Sequence, residues 1–337
     1  SSLFWAAAQI HAFGDIVAVN SDGAISPTVG IAIAAGIAIV YTVSGGLMAD
    51  VYTDVLQATI LIGGLVALFV SVLLALPEMP AESAAAAVAP NHDSSPPLLD
   101  MLEAWAIPIL GSIVAQEAIS RTLAARSAAT ARNSALLGGS IYLLVGAIPL
   151  TIGLLGPRLL PDLADPEAIL PTLSKEHLPT WLNFVFAGAL IAAILSTVDS
   201  CLLVVSSIAV RNLAPHVDDR SQDRLRAARV AVVVAGLAAY GLANTDWNVG
   251  DLVEQASGFG SAGVFVLAVL ATRGRIGGPI AANGALLAGA SSWVLGRYLA
   301  PDTFDHPYLA SLAAAAGGFA LGVGIERMRG SGTTKPN

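Results

Sequence analysis

The sequence predicts an all-α polytopic membrane protein with about ten transmembrane helices, and three observations carry that expectation. Hydrophobic residues make up 55% of the 337 positions and charged residues only 12%, with a mean hydropathy of +0.73. A water-soluble domain carries about 25% charged residues. The apolar residues lie in continuous runs of roughly 20, enough for a helix to cross about 30 Å of hydrocarbon, rather than in the alternation of barrel strands. The basic residues fall almost entirely on one side of the topology that these runs define. The same composition sets other classes aside. A net charge of −8 offers nucleic acid no basic footprint. The hydrophobicity is too high for disorder. Cys201 is the only cysteine, so neither a disulfide framework nor a cysteine-rich metal site is expected. The five histidines, His11, His92, His177, His216 and His306, lie far apart with no ligand-spaced pair, and no transition-metal site is expected.

The runs are 2–20, 27–46, 51–77, 102–119, 134–157, 180–210, 226–244, 250–272, 277–300 and 306–326. The first opens with Ser-Ser-Leu-Phe-Trp, without Met and without the basic stretch of a signal peptide, and reads as the start of a fragment whose earlier spans are missing. It carries Gln9, His11 and Asp15, as partners to other helices or as a cavity wall. The second run begins at Pro27, and Gly45-Gly46 at its end suit a tight turn into the third. There Asp50 or Thr53 can cap the helix. Asp54, one turn deeper, is either a partner of the helix N-terminal dipole or a second carboxylate at the inner mouth of a cation path. The segment 78–101 is rich in Pro, Ser and Ala, with Glu78, Glu82, Asp93 and Asp100, and reads as a flexible extracytoplasmic loop.

In the fourth run, Pro108 and Gly111 predict local unwinding, the kind of break at which transporters bind ligands, an ordinary proline kink being the alternative. Glu117 and Arg121 stand four apart and predict an ion pair. After the fifth run, Leu-Pro pairs at 160–161, 170–171 and 178–179 predict a partly ordered loop from Arg158 to Pro179. The sixth run holds the densest polar set, Ser196, Thr197, Asp199 and Ser200, near its centre. At about 100° per residue, Ala193, Ser196 and Thr197 share one sector of the helix, and Ser196, Asp199 and Ser200 share the next. Hydroxyl and carbonyl oxygens beside a carboxylate suit a hard monovalent cation. The bland alternative is that the hydroxyls bond to their own helix one turn back. The eighth run opens with Asp251 and Glu254, the latter expected to face water, and continues with small residues at three- and four-residue spacing that permit close helix packing. The seventh, ninth and tenth are plain apolar runs, and residues 327–337 form a short polar tail.

With both ends cytoplasmic, 13 of the 16 basic residues face the cytoplasm. They are Arg121, Arg126, Arg132, Arg211, Arg220, Arg224, Arg226, Arg229, Arg273, Arg275, Arg327, Arg329 and Lys335. Only Arg158, Lys175 and Arg297 face outward. Such a bias orients membrane proteins.

Tyr41-Thr-Val-Ser-Gly-Gly-Leu-Met-Ala-Asp-Val-Tyr-Thr-Asp-Val-Leu-Gln57 resembles a signature of the sodium:solute symporter family, and so does Ala193-Ile-Leu-Ser-Thr-Val-Asp-Ser-Cys-Leu-Leu203. Gln116–Arg121 through Ala131-Arg132, then Ile148-Pro149 and Gly153, is similar to the family's middle region. Members carry proline, sugars, pantothenate, iodide, sialic acid and choline. The resemblance implies the five-plus-five inverted-repeat fold of the bacterial leucine transporter. On that plan residues 1–77 hold the last three helices of the first repeat, 102–272 the second repeat and 277–326 two additional C-terminal helices, with the first two core helices lacking. It implies a main sodium site at Ala193, Ser196 and Thr197, and in some members a second at Asp54, Ser196, Asp199 and Ser200. An aspartate at 199, where a small residue often sits, either favours a proton or strengthens cation binding. Gln9, Phe13, Trp105, Gln116 and Phe259 are nominated for the solute pocket.

The function expected is therefore not an enzyme's. It is secondary active transport by alternating access, in which sodium entry drives uptake of a small organic solute across the cell membrane (the inner membrane in a bacterium). No cofactor is expected beyond Na+ as coupling ion, or H+ in its place, and no nucleic acid or obligate protein partner. A truncated non-functional remnant and a symporter-like membrane sensor are the alternatives.

Overall fold

The computed structural model describes residues 1–44, 47–76, 96–163, 165–213, 222–274 and 277–331. Among these residues there is no strand, and helices follow the apolar runs in order. They are α1 Ser2–Asn20, α2 Pro27–Ser44, α3 Leu47–Ala75, α4 Leu98–Ile113, α5 Gln116–Leu123, α6 Ala128–Leu155, α7 Ile169–His177, α8 Thr180–Leu213, α9 Gln222–Ala243, α10 Val249–Gly258, α11 Ser261–Ala271, α12 Pro279–Val294 and α13 Pro307–Ser331. Seven of them are long and apolar enough to cross a membrane: α1, α2, α3, α6, α8, α9 and α13. α10 and α11, bent by 41° at their junction, together make an eighth. The fourth and ninth expected runs yield helices of 16 residues, α4 and α12. At 1.5 Å per residue these are about 24 Å long, short of a typical span. α12 is lengthened by a π turn, Leu295–Leu299.

The structure departs from the sequence reading in three places. Pro108 lies inside α4 without unwinding it, and the break comes later, at Val114 and Ala115. Proline removes one backbone hydrogen bond. Ile107, 7% exposed and packed with Ala262, Trp293 and Tyr308, anchors the helix at that point. The eighth run, expected as one helix, is broken at Phe259-Gly260, where Gly260 takes φ 75°, a left-handed conformation that glycine adopts without steric cost. α4 also starts at Leu98, inside the segment expected as loop, with Asp100 in its first turn and bonded to His306 at 2.9 Å. The expected Gly45-Gly46 turn, the 77–95 part of the loop and the tail from residue 332 lie outside the described residues. So do the side chains of Asp50, Thr53, Glu117 and Arg121.

By contacts the described residues form two units. In the unit of Ser2–His92 and Thr122–Leu252, α1 packs against α2, α8 and α9. Small residues permit the approach: Ala6, Ala7 and Ala8 are fully buried. A Cβ added at Gly30 would stand 2.8 Å from the Cα of Gly14, so α1 and α2 cross backbone to backbone. α3 meets α8 where Phe186 covers Gly64, and Leu65, Leu68, Val72, Ile152, Leu173, Leu178 and Phe186 form the apolar core beneath α7. The described residues of the connection 156–178 are tied to α1 and α8 by polar bonds. Ser174 donates to Asn183 at 2.8 Å, Asn183 to Asn20 at 3.0 Å and Lys175 to the Val19 carbonyl at 2.7 Å, while Lys175 also pairs with Asp22. In contrast α6 presents Tyr142, Leu143 and Leu144 outward, 74–78% exposed, as a helix solvated by lipid does.

The second unit holds Asp93–Arg121 and Val253–Asn337. α12 and α13 lie in direct backbone contact, a Cβ at Gly284 falling 2.4 Å from the Gly318 carbonyl oxygen. Trp293 and Tyr308 meet edge to face at 5.9 Å, and the Tyr308 hydroxyl bonds Ser261 at 2.8 Å. Carboxylates satisfy helix N-termini that would otherwise leave backbone donors unpaired. Glu103 accepts from the N–H groups of Tyr308 and Leu309. Glu326 accepts from those of Gly278, Ile280 and Ala281 at 2.6, 2.7 and 3.3 Å.

Candidate functional site

The polar cluster of the sixth run sits within α8, a 34-residue helix flanked by α2 and α3. The Ser196 hydroxyl donates to Asp54 Oδ1 of α3 at 2.6 Å. Both side chains are half-buried. Asp54 lies two turns into α3, beyond the first turn that a dipole partner would occupy, so its carboxylate serves an inter-helix bond. Thr197, exposed, donates instead to the Ala193 carbonyl of its own helix at 2.9 Å. Asp199 is 3% exposed and Ser200 half-buried. A cavity of about 190 Å³ opens beside Ser196, walled by Ile37, Ala38 and Tyr41 of α2, Gln57 of α3 and Ala192 and Leu195 of α8. At about 30 Å³ per water it has room for several waters or a hydrated ion. Its walls are mostly apolar, and Ser196 and Gln57 supply polar atoms.

Of the two expected cation sets, Asp54 and Ser196 are joined directly, and the Ala193 carbonyl and Thr197 hydroxyl oxygens lie 2.9 Å apart one turn away. The solute-pocket nominees are more scattered. Gln9 is half-buried and Phe13 is 4% exposed, both on α1. In the second unit Trp105 is 66% exposed, Phe259 39% exposed and Gln116 exposed. None of the five lines the cavity beside Ser196. Gly111, expected at an unwound ligand-binding turn, is instead a packing contact: a Cβ there would lie 2.4 Å from the Ser257 carbonyl oxygen. Glu254, expected to face water, is 37% exposed and stands 3.5 Å from Arg297.

A second polar group joins residues that the sequence alone does not bring together. One ligand-capable atom each of His11, Asp15 and Glu167 lie within 4.8 Å of one another. The i, i+4 spacing of His11 and Asp15 is visible in the sequence. Glu167 reaches them only through the fold of the 156–178 connection.

The sequence model of the sodium:solute symporter family matches residues 8–289. The human high affinity choline transporter 1 is 32% identical over 232 residues, 63% of this chain and 39% of that protein. The Haemophilus influenzae sodium/proline symporter is 30% identical over 247 residues, 66% of this chain and 48% of that protein. The sodium/pantothenate symporter of the same bacterium is 27% identical over 219 residues, 62% and 45% of the two chains. The chain thus spans less than half the length of these curated relatives. Among solved structures, a Na+-coupled sialic acid symporter in a substrate-bound outward-open state superposes with a TM-score of 0.73 at 17% identity, covering 96% of this chain and 72% of that one. That likeness is one of fold.

Proposed function

We propose, because this chain belongs to the sodium:solute symporter family and is an integral membrane protein of that fold, that it serves sodium-coupled uptake of a small organic solute by alternating access. α1–α3 correspond in this reading to the last three helices of the first repeat, α4–α11 to the second repeat, and α12 and α13 to the additional C-terminal pair. The protein lies in the cell membrane with both ends of this chain cytoplasmic. Sodium binds at Ala193, Ser196 and Thr197, with a second cation locus at Asp54, Ser196, Asp199 and Ser200. Gln9, Phe13, Trp105, Gln116 and Phe259 remain the nominees for solute contact.

The observation that carries the reading is the Ser196–Asp54 bond, which ties α8 to α3 through an oxygen shared by both loci. A cation bound there draws on helices of two different repeats. It therefore has unequal affinity for states in which those helices sit differently, which is what shifts a conformational equilibrium. The test is equilibrium binding of radioactive sodium to the purified chain in detergent, with Ser196→Ala beside the parent. Losing one neutral oxygen ligand forfeits about 1–3 kcal/mol, roughly 5- to 150-fold in affinity. Unchanged sodium binding in Ser196→Ala rejects the assignment. The two carboxylates near this point of α8, Asp54 and Asp199, favour proton coupling as the second reading. It prevails if sodium binding is absent in the parent and inward proton movement accompanies solute uptake.

A further inference from the structure

We infer that His11, Asp15 and Glu167 form a binding site for one divalent transition-metal ion, zinc being the representative, which ties the 156–178 connection to α1. The argument starts with the histidine. Its Nδ1 lies 3.0 Å from the Ala243 carbonyl oxygen. A carbonyl only accepts, so Nδ1 is the donor here, and Nε2 is the nitrogen left to bind a metal. Metal-ligating histidines are held in this way, with the far nitrogen donating to a backbone carbonyl or carboxylate. Nε2 is 3.9 Å from Asp15 Oδ2 on the next turn, too far for a hydrogen bond. Two ligands on one tetrahedral zinc, with bonds of about 2.0–2.2 Å, stand about 3.4 Å apart. A contraction of about half an ångström brings this pair there.

The third donor comes from the opposite wall. Glu167 belongs to the short 3-10 turn Pro166–Ala168, whose start is held by the Asp165 side chain accepting from the Glu167 N–H at 3.0 Å. Its two carboxylate oxygens accept from the N–H groups of Val249 and Gly250, each at 3.0 Å. An ionised carboxylate has about four acceptor positions, so two remain. The group is thus oriented by the fold yet able to take an ion. The donor atoms of all three residues already lie within 4.8 Å of one another. Asp15 and Glu167 also line a cavity of about 390 Å³, bounded by Ile16, Leu170 and Gly250, which admits the ion and the water that completes a four-coordinate shell. Two carboxylates with a neutral imidazole favour a divalent cation. The nitrogen donor selects zinc, cobalt or nickel over magnesium or calcium, which take oxygen alone.

The probe is zinc chloride titrated calorimetrically into the full chain in detergent. The expected result is one saturable site. His11→Gln, Asp15→Asn and Glu167→Gln each weaken it by at least about tenfold, a loss that even outer-shell changes produce, while His306→Gln leaves it unchanged. A second measurement needs no variant. Zinc K-edge X-ray absorption on the parent is expected to show one imidazole and oxygen ligands at about 2.0–2.2 Å with no sulfur. The site is refuted if the parent shows no saturable zinc binding, if folded variants bind as the parent does, or if the zinc shell lacks imidazole or contains two.

Discussion

A hydroxyl on a helix has two outlets, its own backbone one turn back or a group on a neighbouring helix. Thr197 takes the first and Ser196 the second, so two adjacent residues of similar chemistry have different work. Thr197→Ala leaves helix packing as it is and is expected to weaken only the first cation locus, Ser200→Ala only the second, and Ser196→Ala both. Sodium binding isotherms of the three variants check this, and equal effects from all three contradict it. The Ser196 bond to a carboxylate also contributes to folding. A hydrogen bond to a charged group is worth about 1.5–3 kcal/mol. A double-mutant cycle of Ser196→Ala and Asp54→Asn, read by thermal or denaturant unfolding in detergent, is expected to show a coupling of that size. Additive effects would mean that the two side chains do not meet.

At the scale of helices, glycine placement decides which faces touch. Gly111 passes so close to Ser257 that a Cβ there would stand 2.4 Å from its carbonyl oxygen and 2.9 Å from its Cα and Cβ. The obstacle is largely backbone and cannot rotate away. Overpacking of this kind costs about 1–3 kcal/mol, so Gly111→Leu is expected to lower the melting temperature of the purified chain. Gly146 of α6 has no atom within 4 Å of such a Cβ. Gly146→Ala is expected to raise stability slightly, by about 0.5–1 kcal/mol, because alanine has the higher helix propensity. The comparison separates packing from propensity, and equal melting temperatures for Gly111→Leu and the parent would reject the contact. Both glycines sit in apolar runs where pattern alone does not distinguish them.

For the whole molecule, the consequential expectation is orientation. The 13 basic residues on one side and 3 on the other predict that a cysteine placed within 77–101 reacts with a membrane-impermeant thiol reagent added outside intact cells. One placed within 217–226 is expected to react only after permeabilisation. Cys201 is 3% exposed, and replacing it with alanine clears the background. The reverse labelling pattern would invert the topology.

Much of this was legible in the sequence because the bilayer imposes a one-dimensional rule. Every span must be apolar over a fixed length and satisfy its backbone internally, so the positions of α1, α2, α3, α6, α8, α9 and α13 follow from hydropathy. The α8 cluster was legible because residues three and four apart must share a helix face. What the sequence did not carry depends on contacts between segments remote along the chain. It left open whether Asp54 serves its own helix terminus or another helix, a choice decided by where α8 packs. It also left open whether Pro108 and Gly111 unwind the fourth run or only kink it; the helix continues past both, and the breaks fall at Val114 and at Gly260, because packing around Ile107 holds the one helix and a left-handed glycine ends the other. It saw His11 and Asp15 without Glu167, because the connection that carries Glu167 is folded by bonds to α1 and α10. Hydrophobic pattern decides which segments enter the membrane. The meeting of polar groups inside is decided by which helices pack together, and contacts between segments remote along the chain are not written in any local pattern.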